Sequence, residues 1–207
     1  MQNMSIKIRG YVSLELRVLS LRVLSPLLLS LLLLSGGYAQ AYSYAAAGKE
    51  PLIDGREIIL SALNANDFNA AAQGAAGLKK EFAYLLKEHN IDLFTPMQEA
   101  LASKDASAIK VVLDKALEEE IVRRLEGAQN NLGDYQVAKV LVVKSKLFLD
   151  LLLPNYDEKT RAQANLAIQG VLTAIGNPGV FGVGQAPADE NAFKVQRDLL
   201  MKTIQTP

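Results

Sequence analysis

The sequence predicts an all-α protein: an up-and-down bundle of about six to seven helices, with two related helical hairpins as one way of building it. Three observations carry this. From Leu52 onward the apolar residues recur at helical spacing nearly everywhere, with no alternating strand pattern. Helix starts and stops are marked by residues whose side chains suit those positions. The connections between them are short, which makes sequential neighbours antiparallel.

The spacing predicts helices over 54–63, 67–89, 95–102, 105–128, 134–153, 157–175 and 188–204. Three starts share one pattern, an Asp followed within a turn by Ala or Ile: Asp67 to Ala71, Asp105 to Ile109, and Asp134 to Ala138. A carboxylate there accepts from free first-turn amides and sits at the positive end of the helix. Thr95-Pro96-Met97-Gln98 has capping-box spacing with Pro at the first helical position. Asp157 or Glu158, and Pro187 to Asp189, open the last two helices. Stops fall at Asn90, at Asn130 to Gly133, at Pro154-Asn155 and at Gly176-Asn177-Pro178-Gly179. Phe94-Thr95-Pro96 followed by Lys104-Asp105 resembles Leu152-Leu153-Pro154 followed by Asp157-Glu158-Lys159, which suggests the paired hairpins.

The N-terminal 41 residues read differently. They hold Lys7, Arg9, Arg17 and Arg22 against Glu15, and the basic stretch precedes an apolar run from Val23 to Leu34. Ala39-Gln40-Ala41 then supplies the small-x-small pattern of a signal-peptide cleavage site. The run is interrupted by Ser25, Pro26 and Ser30 and falls short of the ~20 residues that span a bilayer. The alternative is an uncleaved anchor extending back through Leu14, where Arg17 and Arg22 would be costly. The expected organisation is a signal peptide over 1–41, a flexible Ala-rich lead over 42–51, and a single domain over 52–207.

Composition excludes several chemistries. The chain has no Cys, so disulfides, thiolate zinc sites, iron–sulfur clusters, attached haem and lipoprotein acylation are ruled out. Beyond residue 41 there remain 18 basic and 21 acidic residues, a balance that gives no electrostatic reason to seek nucleic acid or anionic lipid. No cofactor is implied. A membrane association would come only through an uncleaved signal.

Two sets of residues are candidates for chemistry. At 100° per residue Ile109, Val112, Leu113, Ala116, Leu117 and Ile121 form one apolar stripe, and Glu120 and Arg124 fall near its middle. The next helix is apolar nearly all round, which predicts a central position, and Lys144 interrupts its apolar side. Glu120, Arg124 and Lys144 are therefore candidates for a buried charge cluster, inside or at the edge of the bundle. The plainer reading is an ion pair at a helix end whose long side chains snorkel out to water. The sharper expectation is a buried Glu120 paired with Arg124 or Lys144. The second set is His89, Asp92 and Glu99, whose donor types could ligate iron, copper or zinc, although their spacing is irregular. His89 near a helix C-terminus is favourable on its own account.

Gly182-Val183-Gly184 does not follow a strand or open a helix, and it lacks the Lys of a phosphate loop. A turn closing the preceding helix, with Val180, Phe181 and Val183 over the bundle end, accounts for it. No Ser–His–Asp or Cys–His set can be assembled.

Leu132-Gly133-Asp134-Tyr135-Gln136-Val137-Ala138 resembles the mid-repeat turn of a tetratricopeptide repeat, but the Asp-led starts lie 38 and 29 residues apart and give no 34-residue period. Ala65 to Gly176 is similar in style to periplasmic helical domains of the imelysin and iron-permease accessory type. In those domains Ala-rich hairpins carry a Pro and then a Lys-Asp turn, as in Thr95-Pro96 to Lys104-Asp105. That resemblance implies a periplasmic bundle. The family's His- and Glu-based metal motif has no counterpart here.

The expected function is an exported, non-enzymatic helical bundle that binds another envelope protein or serves a membrane complex. The alternative is a periplasmic metal-binding protein of an iron or copper uptake system. The intact mass of the exported protein tests the N-terminal assignment: it should begin at Tyr42, and a membrane-fractionating chain that keeps residues 1–41 would refute cleavage.

Overall fold

The structure, a computed structural model, describes residues 50–179 and 184–205. The expected signal peptide, residues 42–49 of the lead, and Val180, Phe181, Gly182 and Val183 lie outside the described residues. The described chain is all-helical. It forms α1 (Pro51–Asn64), α2 (Phe68–Gly77), α3 (Lys79–His89), α4 (Phe94–Ala102), α5 (Ala106–Gln129), α6 (Tyr135–Leu152), a short 3-10 turn (Leu153–Asn155), α7 (Glu158–Ala174) and α8 (Glu190–Ile204). Among the described residues there is no strand, only one isolated bridge between Asn177 and Ala186.

The Asp-led starts act as the sequence predicts. Asp67 accepts from the amides of Asn69 and Ala70, Asp105 from Ser107 and Ala108, and Asp134 from Gln136 and Val137. Asp157 and Asp189 cap α7 and α8 through Thr160 and Ala192. Asn90 ends α3 in the left-handed conformation, φ 58°, a region Asn tolerates.

Four expectations need correction, the fourth being the place of α6. The helix predicted over 67–89 is two helices, broken at Leu78. The break turns the Leu78 side chain into the core, 1% exposed, where it lies directly against Gly55 of α1. Second, α4 does not start with a Thr95 cap. Asp92 accepts from the amides of Phe94 and Thr95 and from the Thr95 hydroxyl, and the helix begins at Phe94.

Third, the segments proposed as duplicates are not equivalent, because Phe94 to Pro96 opens a helix while Leu152 to Pro154 closes one. The turns that do match are α1 to α2 and α4 to α5. In them Asn66 and Lys104 take φ 59° and 53°. The amides of Asp67 and Asp105 each bond a carbonyl five residues back, Ala62 and Ala100, at 2.9 Å.

Helix α5 is the hub and packs against α1, α4, α6 and α8. Its buried residues run from Ile109 to Ala128 and cover an arc of about 240° of its circumference at 100° per residue. Helix α6, expected to be central, is not. Its buried residues (Ala138, Val142, Ser145, Phe148, Leu149, Leu152) cover only about 120°. It packs on α5 and α7 and leaves Val137, Val143 and Leu147 exposed. Apolar character all round therefore marks α5's neighbour, while the true centre carries charges within its buried arc.

The closeness of α1 to Leu78 is testable. A Cβ on Gly55 would lie 2.4 Å from Leu78 Cδ2 and 2.8 Å from Cγ, and a fully buried leucine has little room to move. Gly55→Ala should therefore destabilise the fold by about 1–2 kcal/mol, overpacking outweighing the gain in helix propensity. Gly77→Ala meets nothing within 4 Å and should stabilise by about 0.5–1 kcal/mol. Urea midpoints of both variants check the pair; a stabilising Gly55→Ala would show that the contact is loose.

Candidate functional site

Helix geometry places Glu120 and Arg124 one turn apart on the buried side of α5, with Arg123 beside them. Glu120 is 5% exposed and Arg124 6%. Glu120 accepts two bonds from Arg123, Nε at 3.0 Å and Nη2 at 2.7 Å, and a third contact from Arg124 Nη1 at 3.1 Å. Arg124 Nη2 also donates to Glu50, the residue just before α1. Lys144 of α6 holds the other Glu50 oxygen at 2.9 Å. The result is one chain of charge, Lys144–Glu50–Arg124–Glu120–Arg123, three cations threaded by two carboxylates.

Two aromatic rings complete the setting. The Arg124 guanidinium lies 4.8 Å from the centroid of Phe148 on α6, and that of Arg123 5.1 Å from Tyr84 on α3. Such contacts let a planar cation sit among apolar groups with less loss than an ammonium would suffer. Burial opposes the charge of Arg123, but the Glu120 carboxylate outweighs it and the net direction is upward.

The predicted trio is thus in place, with a different wiring. Glu120 pairs with Arg124 and Arg123, and Lys144 serves Glu50 instead. Glu50 was assigned to the flexible lead, yet it is 9% exposed and held by two cations. The available signal was an acid directly before Pro51, which occupies the first position of α1. Glu119 was also missed; it is buried at 7% and pairs with Lys115 at 2.7 Å.

His89, Asp92 and Glu99 are not gathered. Among the described residues no three His, Asp or Glu side chains are arranged to hold a metal ion. The physical reason is local. Asp92 is committed to the Thr95 hydroxyl and to the amides of Thr95 and Phe94, which lower its pKa against the opposing effect of burial. The His89 ring sits at the end of α3 with its centroid 6.0 Å from that of Tyr84, and Glu99 is exposed on α4.

Two cavities lie elsewhere. One, of about 430 Å³, runs between α2, α3 and α4 and is walled by Ala72, Ala75, Ala76, Phe82, Phe94 and Met97, with Lys79 and Gln98 among its few polar residues. The other, of about 260 Å³, is polar and lies between α1, α5 and the turn after α6, lined by Arg56, Asn64, Lys110, Asp114 and Asn155. Neither is lined by a member of the charge chain. Burial pushes the Asp114 carboxyl upward, and this outweighs the lowering by Arg56, Asn155 and Lys110.

The charge chain predicts an order of mutational cost. Arg124→Ala leaves two buried carboxylates short of a cation and should destabilise by about 3–5 kcal/mol. Glu120→Ala should cost about 2–3 kcal/mol, since Arg124 keeps Glu50 and Arg123 is near enough to water to be solvated. Lys144→Ala, at a partly exposed position, should cost about 1 kcal/mol or less. Denaturation midpoints read the series; equal small losses at all three would show that the chain of charge is not desolvated.

Comparison of the sequence and structure with protein-family models, curated proteins and solved structures finds no match.

Proposed function

We propose that this is an exported, non-enzymatic protein of the cell envelope that binds another protein, either alone or as an accessory of a membrane complex. The observation that supports this is the uncovered side of α6. Val137, Val140, Val143 and Leu147 share one face within about 120°. Three of the four are exposed, at 39%, 43% and 37% for Val137, Val143 and Leu147. A helix with an apolar strip toward water offers a surface for a second helix, read at i, i+3 and i+7 spacing.

Lys139 and Lys146 lie along one side of the strip and Lys144 falls within it. Lys146 is paired with Asp150 and Lys144 with Glu50, so the apolar residues, more than the charges, would select a partner helix. No described helix is long and apolar enough to cross a membrane. The export assignment rests on the sequence of residues 1–41.

A photo-crosslinking residue placed at Val143 in the native host tests the reading. It should yield one discrete adduct with a second protein, and the pair Val137→Lys and Leu147→Lys should abolish it without changing the melting temperature. The same probe at Leu166 on α7, 67% exposed, should give none. Equal labelling at both positions, or none at Val143, would count against partner binding through α6.

A further inference from the structure

The polar cavity differs from the apolar one between α2, α3 and α4 in what lines it. Arg56 and Asn64 reach it from α1, Lys110 and Asp114 from α5, and Asn155 from the turn after α6. These five polar side chains come from three stretches of sequence and face one volume of about 260 Å³, the small end of what ligand sites occupy.

Asp114 is the acceptor that joins Arg56 and Asn155, one contact long and one short. Arg56 has only 16% of its side chain exposed, and its Nη2 stands 3.5 Å from Asp114 Oδ1, beyond the usual range for a charge-assisted bond. Its Nε is buried with no acceptor. Asp114's other oxygen accepts from Asn155 Nδ2 at 2.8 Å. Lys110, exposed at the edge, makes no hydrogen bond or ion pair with the described residues. The cavity thus holds two cations and one carboxylate, with donors in excess of acceptors. The Nε itself is enclosed, so what Arg56 and Lys110 offer this volume is charge: two cations against one carboxylate, an excess that an anion would balance.

We infer that this cavity binds a small oxyanion, a phosphate or a short carboxylate, through Arg56 and Lys110. Guanidinium groups match both headgroups because their planar fork meets two oxygens at once. Asp114 has a double part. It orients Arg56, and its own charge opposes the anion, so the site is tuned for weak, reversible occupancy. This site is independent of the α6 face, and its occupancy neither requires nor excludes a protein partner.

The experiment titrates the purified full-length chain with inorganic phosphate and, separately, with acetate, at constant ionic strength set by chloride. The side-chain resonances of Arg56 and Asn155, which both line the cavity, report occupancy. A saturable shift with either anion is expected; saturation by phosphate alone or acetate alone assigns the headgroup. Lys110→Ala should weaken binding about fivefold and Asp114→Asn should tighten it about fivefold, the scale of partly exposed charge pairs. The opposite signs separate a ligand site from general damage, since an unfolded or loosened variant gains no affinity. The inference is overturned if neither anion saturates the signal in the wild type or in Asp114→Asn, or if Asp114→Asn leaves the affinity unchanged.

Discussion

The fold depends on one constraint: α5 is surrounded. It buries about two-thirds of its circumference against four other helices, and that arc includes Glu119, Glu120 and Arg124. A helix in that position with charges inside its arc must find partners for them. It finds them nearby for Glu119 and Glu120, through Lys115 and Arg123. For Arg124 it reaches across the chain to Glu50, which lies before the first helix. The start of the domain is thereby tied to its centre.

Such a tie is weak evidence for stability. Buried ion pairs often do no better than apolar residues of the same size, because desolvation offsets most of the attraction. What the pairing supplies is position. An apolar contact at Glu50 would tolerate sliding along α5, whereas a carboxylate shared between Arg124 and Lys144 has one register. The same two partners belong to α5 and α6, so Glu50 also bridges the hairpin on which the rest of the bundle is laid. Phe148 stacked under Arg124 fixes the guanidinium from the α6 side.

Much of this was legible in the sequence, and the failures share a cause. Helix class, the Asp caps and the Asn90 stop depend on a few neighbouring residues, so local chemistry decides them. Glu120 and Arg124 were placed in the buried stripe because helical periodicity is itself local. What escaped was set by distant contacts. The break at Leu78 exists because Gly55, more than twenty residues earlier, leaves room for its side chain. Glu50 looked like tether because its partners are on α5 and α6. Helix α6 was predicted central because its composition is apolar, but composition reports what a helix could bury and not what the chain brings to cover it. Asp92 shows the converse: a residue chosen for metal chemistry is fully explained by the two amides and one hydroxyl next to it.

The mismatch at α6 and the excess donors at Arg56 have the same logic at different scales. In each, the chain supplies more of one kind of group than its own fold uses: apolar surface in the first, hydrogen-bond donors in the second. Folding alone would favour trimming both, since an exposed apolar strip invites association and an unmatched buried donor is costly. The charge chain shows that this sequence can match groups closely where structure alone is at stake, with two carboxylates holding three cations around a buried guanidinium. Even there the Nε of Arg124 is left without an acceptor, but that group is enclosed by its own partners and opens onto neither cavity. Arg56 differs because its unmatched donor belongs to a side chain that lines an accessible volume. Its Nε is itself enclosed, so what the side chain brings to that volume is its charge, shared with Lys110 and set against Asp114 alone.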